Sequence, residues 1–291
     1  GTIDPMSQTC ANTGRTTATA YDSTYKTFPV TMTNALCQAS TSTYWGINTT
    51  LTASSVLGAA AVPGLLASVT DPNLVRTVTY WDALSRSKAT IIPPDTGDYL
   101  TTTWNYSLTG SAPSSTLVQT REQGGTPNTR QTYTYVDGFG RNVQVKSEAE
   151  NGGEAITQDI FYNSRGLTES VSVPYITTTN AFTSRDTTKP KTTTLYDPVR
   201  RPITVTNPAG TIRTTSYNRW VVTSTDEKGF ATVRTSDALG RLVSVVEPFG
   251  GGTTTYTYDS FDAAGNNTQT ITDDQVNVTT TIFDTLGRKT K

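Results

Sequence analysis

"YVDGFGRNVQV", Tyr135–Val145, and "TSDALGRLVSV", Thr235–Val245, carry one pattern. Each has an Asp, two variable residues, Gly-Arg, and then apolar residues at alternate positions. An Asp side chain accepts backbone N–H bonds from residues just ahead of it, and Gly takes the left-handed conformation that a tight turn needs. An Arg directly after the Gly is placed to bond turn carbonyls or the Asp of a neighbouring unit. Near-copies centre on Asp82 (YWDALSR), Asp197 (LYDPVRR), Asp262 (SFDAAGN) and Asp284 (IFDTLGR), with a degenerate copy at Asn163 (FYNSRGL). The expected corner residues are Asp82; Asp137, Gly140 and Arg141; Asn163 and Gly166; Asp197 and Arg201. They continue with Asp237, Gly240 and Arg241; Asp262 and Gly265; and Asp284, Gly287 and Arg288. Asn218, in "SYNRWVV", marks a further weak copy. A unit of about 20–25 residues, with insertions, accounts for most of the chain after residue 75.

The flanks have period two. Val78 and Tyr80, then Tyr133 and Tyr135, fall four and two positions before the Asp. Val143 and Val145, and Val243 and Val245, fall three and five positions after the Gly. Such alternation belongs to strands with two unlike faces. Between the copies lies a second class of turn, "TNPAGT", "DEKGF", "EPFGGG" and "ENGG", in which Pro presets φ and Gly supplies positive φ. Each unit reads as strand, corner, strand, turn: a chain of β-hairpins. Repetition also decides what the motif is for. One corner used many times in a stack is ordinary, whereas many copies of one enzyme site are not.

Composition agrees. Of 291 residues, 34% are hydrophobic and 16% charged, well below the about 45–50% and about 25% of ordinary globular domains. Thr fills much of the difference, and a β-branched polar residue suits a sheet with a wet face. The expected class is all-β: repeated hairpins forming a spiralling antiparallel strip. A net charge of -1 gives no basic field for nucleic acid. No apolar run is long enough to span a bilayer as a helix. "VLGAAAVPGLLA", Val56–Ala67, reads as a buried loop or short helix, with a membrane-inserting segment as the other reading. The absence of His excludes Ser–His–Asp and Cys–His machinery and His-ligated metals. "TDDQVN", Thr272–Asn277, matches a calcium loop only loosely. No cofactor is expected, and the chain reads as a non-enzyme. Cys10 and Cys37 form one disulfide or stay as two thiols.

Three segments are expected. Residues 1–20 are a leader or expression remnant running into a first strand. Residues 21–75 are divergent strands with an insertion from about Trp45 to Leu66. Residues 76–291 are the repeats, read as part of a longer protein.

"TYTYVDGFGRNVQ", "TLYDPVRRPITVTNPAGT", "TSDALGRLVSVVEPFGGGTTTYTYD" and "DAAGNNTQTITD" closely resemble RHS repeats, also called YD repeats. "YDSTYKTFPVTMTNAL" resembles segments upstream of such repeats in large bacterial Tc-toxin subunits and related polymorphic toxins. The resemblance covers roughly residues 21–291. It implies a hollow β-shell that encloses a C-terminal effector, or, in animal teneurins, an adhesion barrel. Self-cleavage is not implied, because the family's D-P-x-G core motif is absent from these residues.

Three functions follow. The first is a shell segment that encapsulates or presents a C-terminal effector, secreted or at a bacterial cell surface, with other toxin subunits as partners. The second is an extracellular fibre or adhesion protein that self-associates through sheet edges. The third is a carbohydrate-binding surface built on aromatics such as Trp45, Trp81, Trp104 and Trp220.

Overall fold

The computed structural model describes residues 17–49, 56, 58–108, 113–150, 153–261 and 265–290. Among these residues it is all-β: 22 strands, with a single 3-10 turn at Pro248–Gly250, and every strand pairing given below is antiparallel. Among the described residues no helix is long and apolar enough to cross a membrane.

The chain forms two compact units. The first runs to Gln158 and includes Pro174–Ser184. Its ladder is β1 (Ala18–Tyr21), β2 (Pro29–Thr33), β3 (Ala39–Tyr44), β4 (Leu66–Thr70) and β5 (Arg76–Trp81). It continues with β6 (Ser87–Ile91), β7 (Thr102–Ser107), β8 (Ser114–Arg121), β9 (Thr129–Val136) and β10 (Asn142–Glu148). Each strand pairs with the one before it. The ladder passes the compositional boundary at residues 75 and 76 without a break, because the hairpin that turns at Asp71 spans it.

β11 (Ala155–Tyr162) is shared. Its first residues pair with β13 (Tyr175–Thr177) in the first unit, and its last with β12 (Thr168–Ser172) in the second. The second unit comprises Asp159–Val173 and the chain from Arg185. β12 pairs with β14 (Lys191–Tyr196), followed in order by β15 (Pro202–Thr206), β16 (Ile212–Asn218) and β17 (Val221–Thr225). β18 (Ala231–Ser236), β19 (Leu242–Val246), β20 (Thr253–Phe261), β21 (Asn267–Thr272) and β22 (Val278–Phe283) complete it.

Among its described residues the apolar stretch after Trp45 forms no helix. Val56 is buried, Ala60 bridges to Trp81, and Leu66 and Ala67 open β4. Trp45 is buried beside them, its Nε1 donating to the Thr79 carbonyl.

The core is thin. In the first unit the 178–184 segment folds over β9 and β10. Tyr135 donates to the Asn180 carbonyl at 2.6 Å, and its ring meets Phe182 at a tilt, centroids 5.5 Å apart. Gln144 pairs twice with the Thr183 backbone, and Lys146 Nζ donates to the Thr179 carbonyl and to the Thr177 and Thr183 hydroxyls. Gln144 and Lys146 are fully buried, and these bonds satisfy groups that would otherwise be costly to desolvate.

The period-two expectation fails just past the corner. Pairing shifts between Asn142 and Gln144, so Val143 is an extra, bulged residue. The phase then flips: Val143, Gln144 and Lys146 are buried, while Val145 is only half-buried. The same shift occurs between Leu195 and Tyr196 and between Thr235 and Ser236.

Candidate functional site

The repeated corner is one geometry. At Asp137 the N–H of Gly140 donates to the Asp137 carbonyl, and the Asp137 N–H donates to the Arg141 carbonyl. Oδ1 accepts the N–H groups of Phe139 and Arg141 at 2.9 and 3.0 Å. Gly140 lies at φ 74°, which closes a three-residue loop and forces the bulge on the outgoing strand. Arg141 Nε donates to Oδ2 of Asp137 at 2.8 Å. The Arg thus binds the Asp of its own corner, not that of a neighbouring unit, because the turn folds position five back onto position one.

Asp82 with Arg86, Asp197 with Arg201, Asp237 with Arg241 and Asp284 with Arg288 repeat this, at Nε–Oδ2 distances of 2.7–2.8 Å. At Asn163 the amide oxygen makes the same two backbone bonds, Gly166 has φ 76°, and Leu167 stands where the Arg would be. Asp262 lies outside the described residues; Gly265 has φ 77° and Gly287 φ 76°. Non-glycine residues fill the left-handed position at Ser85 and Arg200. Asn218 differs: it pairs directly with Val221 across a two-residue loop.

The second class of turn is mostly the same corner in other letters. Asn207 and Asp226 each accept two backbone N–H bonds, and Gly210 and Gly229 take positive φ. Asp273 does so as well, with Asn277 donating to Oδ2 and Val276 at φ 66°. "TDDQVN" is therefore a hairpin loop. Among the described residues no group of three or more Cys, Asp or Glu side chains is placed to hold a metal. "EPFGGG" departs, as the 3-10 turn, and Asn151 and Gly152 of "ENGG" lie outside the described residues.

A tyrosine from the next strand of the ladder closes several corners. Arg86 lies 4.1 Å over the Tyr106 ring, whose hydroxyl donates to the Ser87 carbonyl. Arg201 lies 4.1 Å over Tyr217, whose hydroxyl donates to the Pro202 carbonyl. Arg241 lies 4.7 Å over Tyr258, whose hydroxyl donates to the Leu242 carbonyl at 2.7 Å. Tyr196 reaches the Thr168 carbonyl beside Leu167, and Tyr44 reaches the Pro29 carbonyl beside Phe28. The clasps of Tyr106, Tyr217 and Tyr258 each join a cation–π contact to a hydrogen bond from a ring with few rotamers, and Tyr44 joins its bond to a ring contact with Phe28. The Tyr residues were visible in the sequence, but nothing local in it assigns them to corners 16–29 residues earlier.

Electrostatics follow from geometry. Burial pushes the Asp22 carboxyl up, but the N–H groups of Phe28, Tyr25 and Thr27 outweigh it and hold the carboxyl at about 2. Burial likewise opposes ionisation of Asp82, Asp137, Asp197 and Asp237, while the Arg and backbone bonds of each corner bring the carboxyl below its ordinary range. These are stably ionised structural acids, unlike a general acid poised near neutrality. Of the cysteines, Cys37 is disulfide-bonded and Cys10 lies outside the described residues. Trp45 is buried, Trp81 and Trp104 are half-buried, and Trp220 is exposed.

Fold and corner together define a class: an antiparallel hairpin array locked by Asp- or Asn-capped loops. The RHS Repeat family model matches residues 237–275, which hold the Asp237 corner and its Tyr258 clasp. Three solved structures share the fold. The TcdB2–TccC3 complex without its hypervariable C-terminal region has a TM-score of 0.66 at 14% identity, covering 94% of this chain. TcdB2–TccC3–Cdc42 gives 0.63 at 15% identity over 89%. A Photorhabdus luminescens Tc holotoxin pore carrying a TccC3 mutation gives 0.63 at 14% over 94%. The chain spans 18–20% of the length of the solved chains it matches. No curated protein sequence matches it.

Proposed function

We propose that these residues are wall: a structural segment of an RHS-type shell that encloses or presents a C-terminal effector polypeptide and works with other toxin subunits outside the bacterial cell. One observation carries the reading, the recurrence of a single capped and clasped corner through a fold shared with the Tc-toxin chains. The ionised corner acids are consumed by turn bonds, and a wall needs no catalytic group, so the segment works without an enzymatic activity of its own.

The test uses the whole reading frame that contains these residues. Produced intact, it should shield the polypeptide encoded after the repeats from added protease until the wall is unfolded. Equal digestion of that polypeptide before and after unfolding would overturn the reading.

A further inference from the structure

Because successive strands are antiparallel, the corners of the second unit fall on two rims. The corners at Asn163, Asp197, Asn218, Asp237 and Asp284 share one rim, and Arg165 confirms their adjacency by donating from its own corner to the Asp197 and Tyr196 carbonyls. The corners at Asn207, Asp226, Glu247 and Asp273 share the other.

The two rims differ in chemistry. On the first, every described Asp is neutralised by its own Arg. Arg200 and Arg219 remain, exposed and with no carboxylate within ion-pair distance among the described residues. The same rim carries exposed apolar tips: Val199 is 66%, Leu239 76% and Leu286 75% exposed. Turn geometry uses Asp or Asn and a left-handed residue and leaves the tip position free, so the exposed apolar side chains that recur there are not required by the turn. The second rim is acidic. Asp226, Glu227, Glu247, Asp273 and Asp274 carry its charge against Lys228, and Phe249 and Val276 are its exposed apolar tips. Arg213 and Arg234 line the hollow behind Asp226 and Glu227 but make no ion pair with them among the described residues.

Both rims repeat every two strands, about 9.6 Å at ordinary strand spacing. A cationic, apolar-tipped edge and an anionic, apolar-tipped edge of equal period are complementary in charge and in spacing. We propose that the first rim of one copy docks on the second rim of another copy, a head-to-tail contact through the turns and not through strand pairing. Such a contact is heterologous, leaves a free rim at each end, and adds further copies. Two first rims repel each other, which sets the polarity.

The test is sedimentation velocity on the intact protein, produced from the whole reading frame that contains these residues, across a concentration series at low and high salt. The wild type should associate progressively, and less at high salt. One variant, Arg200→Gln with Leu239→Ser, blunts the first rim. Another, Glu227→Gln with Val276→Gly, blunts the second. None of these four side chains caps a corner, so circular dichroism should stay unchanged. Each variant alone should associate about tenfold more weakly or worse. An equimolar mixture should recover association but stop at dimers, since each pair then exposes only blunted rims. A wild type that stays monomeric at low salt would overturn the proposal. So would association that the variants leave unchanged, which would assign it to strand edges, or a mixture no better than its components.

Discussion

Replacing Asp137 by Ala removes two backbone acceptor bonds and the contact to Arg141 in one step. Replacing it by Asn removes only the charge, since an amide oxygen already serves the Asn163 and Asn207 corners through the same two bonds. Each bond from the N–H groups of Phe139 and Arg141 contributes about 0.5–1.5 kcal/mol net. The Arg141–Asp137 pair, with both side chains partly exposed, adds about 0–1 kcal/mol. Asp137→Ala should therefore cost about 2–3 kcal/mol and Asp137→Asn about 0.5–1 kcal/mol. At about 2–4 °C per kcal/mol, calorimetry should show the melting temperature falling by about 4–12 °C for Ala and by about 1–4 °C for Asn. If Ala and Asn behave alike, the carboxylate's Oδ1 is not what holds the corner, and glycine with the flanking ladder closes it unaided.

Three further outcomes follow from the same geometry. Tyr258→Phe, which removes the donor to the Leu242 carbonyl, should cost about 0.5–1.5 kcal/mol in urea denaturation, and a double-mutant cycle with Arg241→Ala should show coupling of about 0.5 kcal/mol or more. Val276→Gly should raise the melting temperature, because a β-branched residue at φ 66° is strained, whereas Gly240→Val should lower it; equal effects of one sign would contradict this. The Asp22 carboxyl, at about 2 against an ordinary 3.8, adds stability that is complete above about pH 5 and is lost as pH falls through its folded value. The urea midpoint should hold from about pH 7 to 5 and drop below about pH 4, and Asp22→Asn should make that drop shallower.

The corners were legible because their chemistry is local: Asp or Asn, a left-handed position three residues on, and Arg next form a unit that one short window displays. The hairpin chain followed from their repetition. Less visible was that "TNPAGT" and "DEKGF" make the same corner, since sequence shows the Pro or Lys while geometry uses only Asn207 or Asp226 and the Gly. The bulge hid the inward phase of β10, so Gln144 and Lys146 gave no sign that they are buried. What buries them arrives from 178–184, and the tyrosine clasps arrive from the next strand; both depend on register that no local pattern encodes. The segment between Trp45 and Leu66 was likewise only outlined as an insertion, because its anchors, Thr79 and Trp81, lie beyond it in the chain.

The central claim is that this hairpin array is wall. Electron microscopy of the intact protein, purified from the whole reading frame, tests it most directly. Discrete hollow particles with density enclosed by the repeats are expected. Extended particles with no lumen would contradict it.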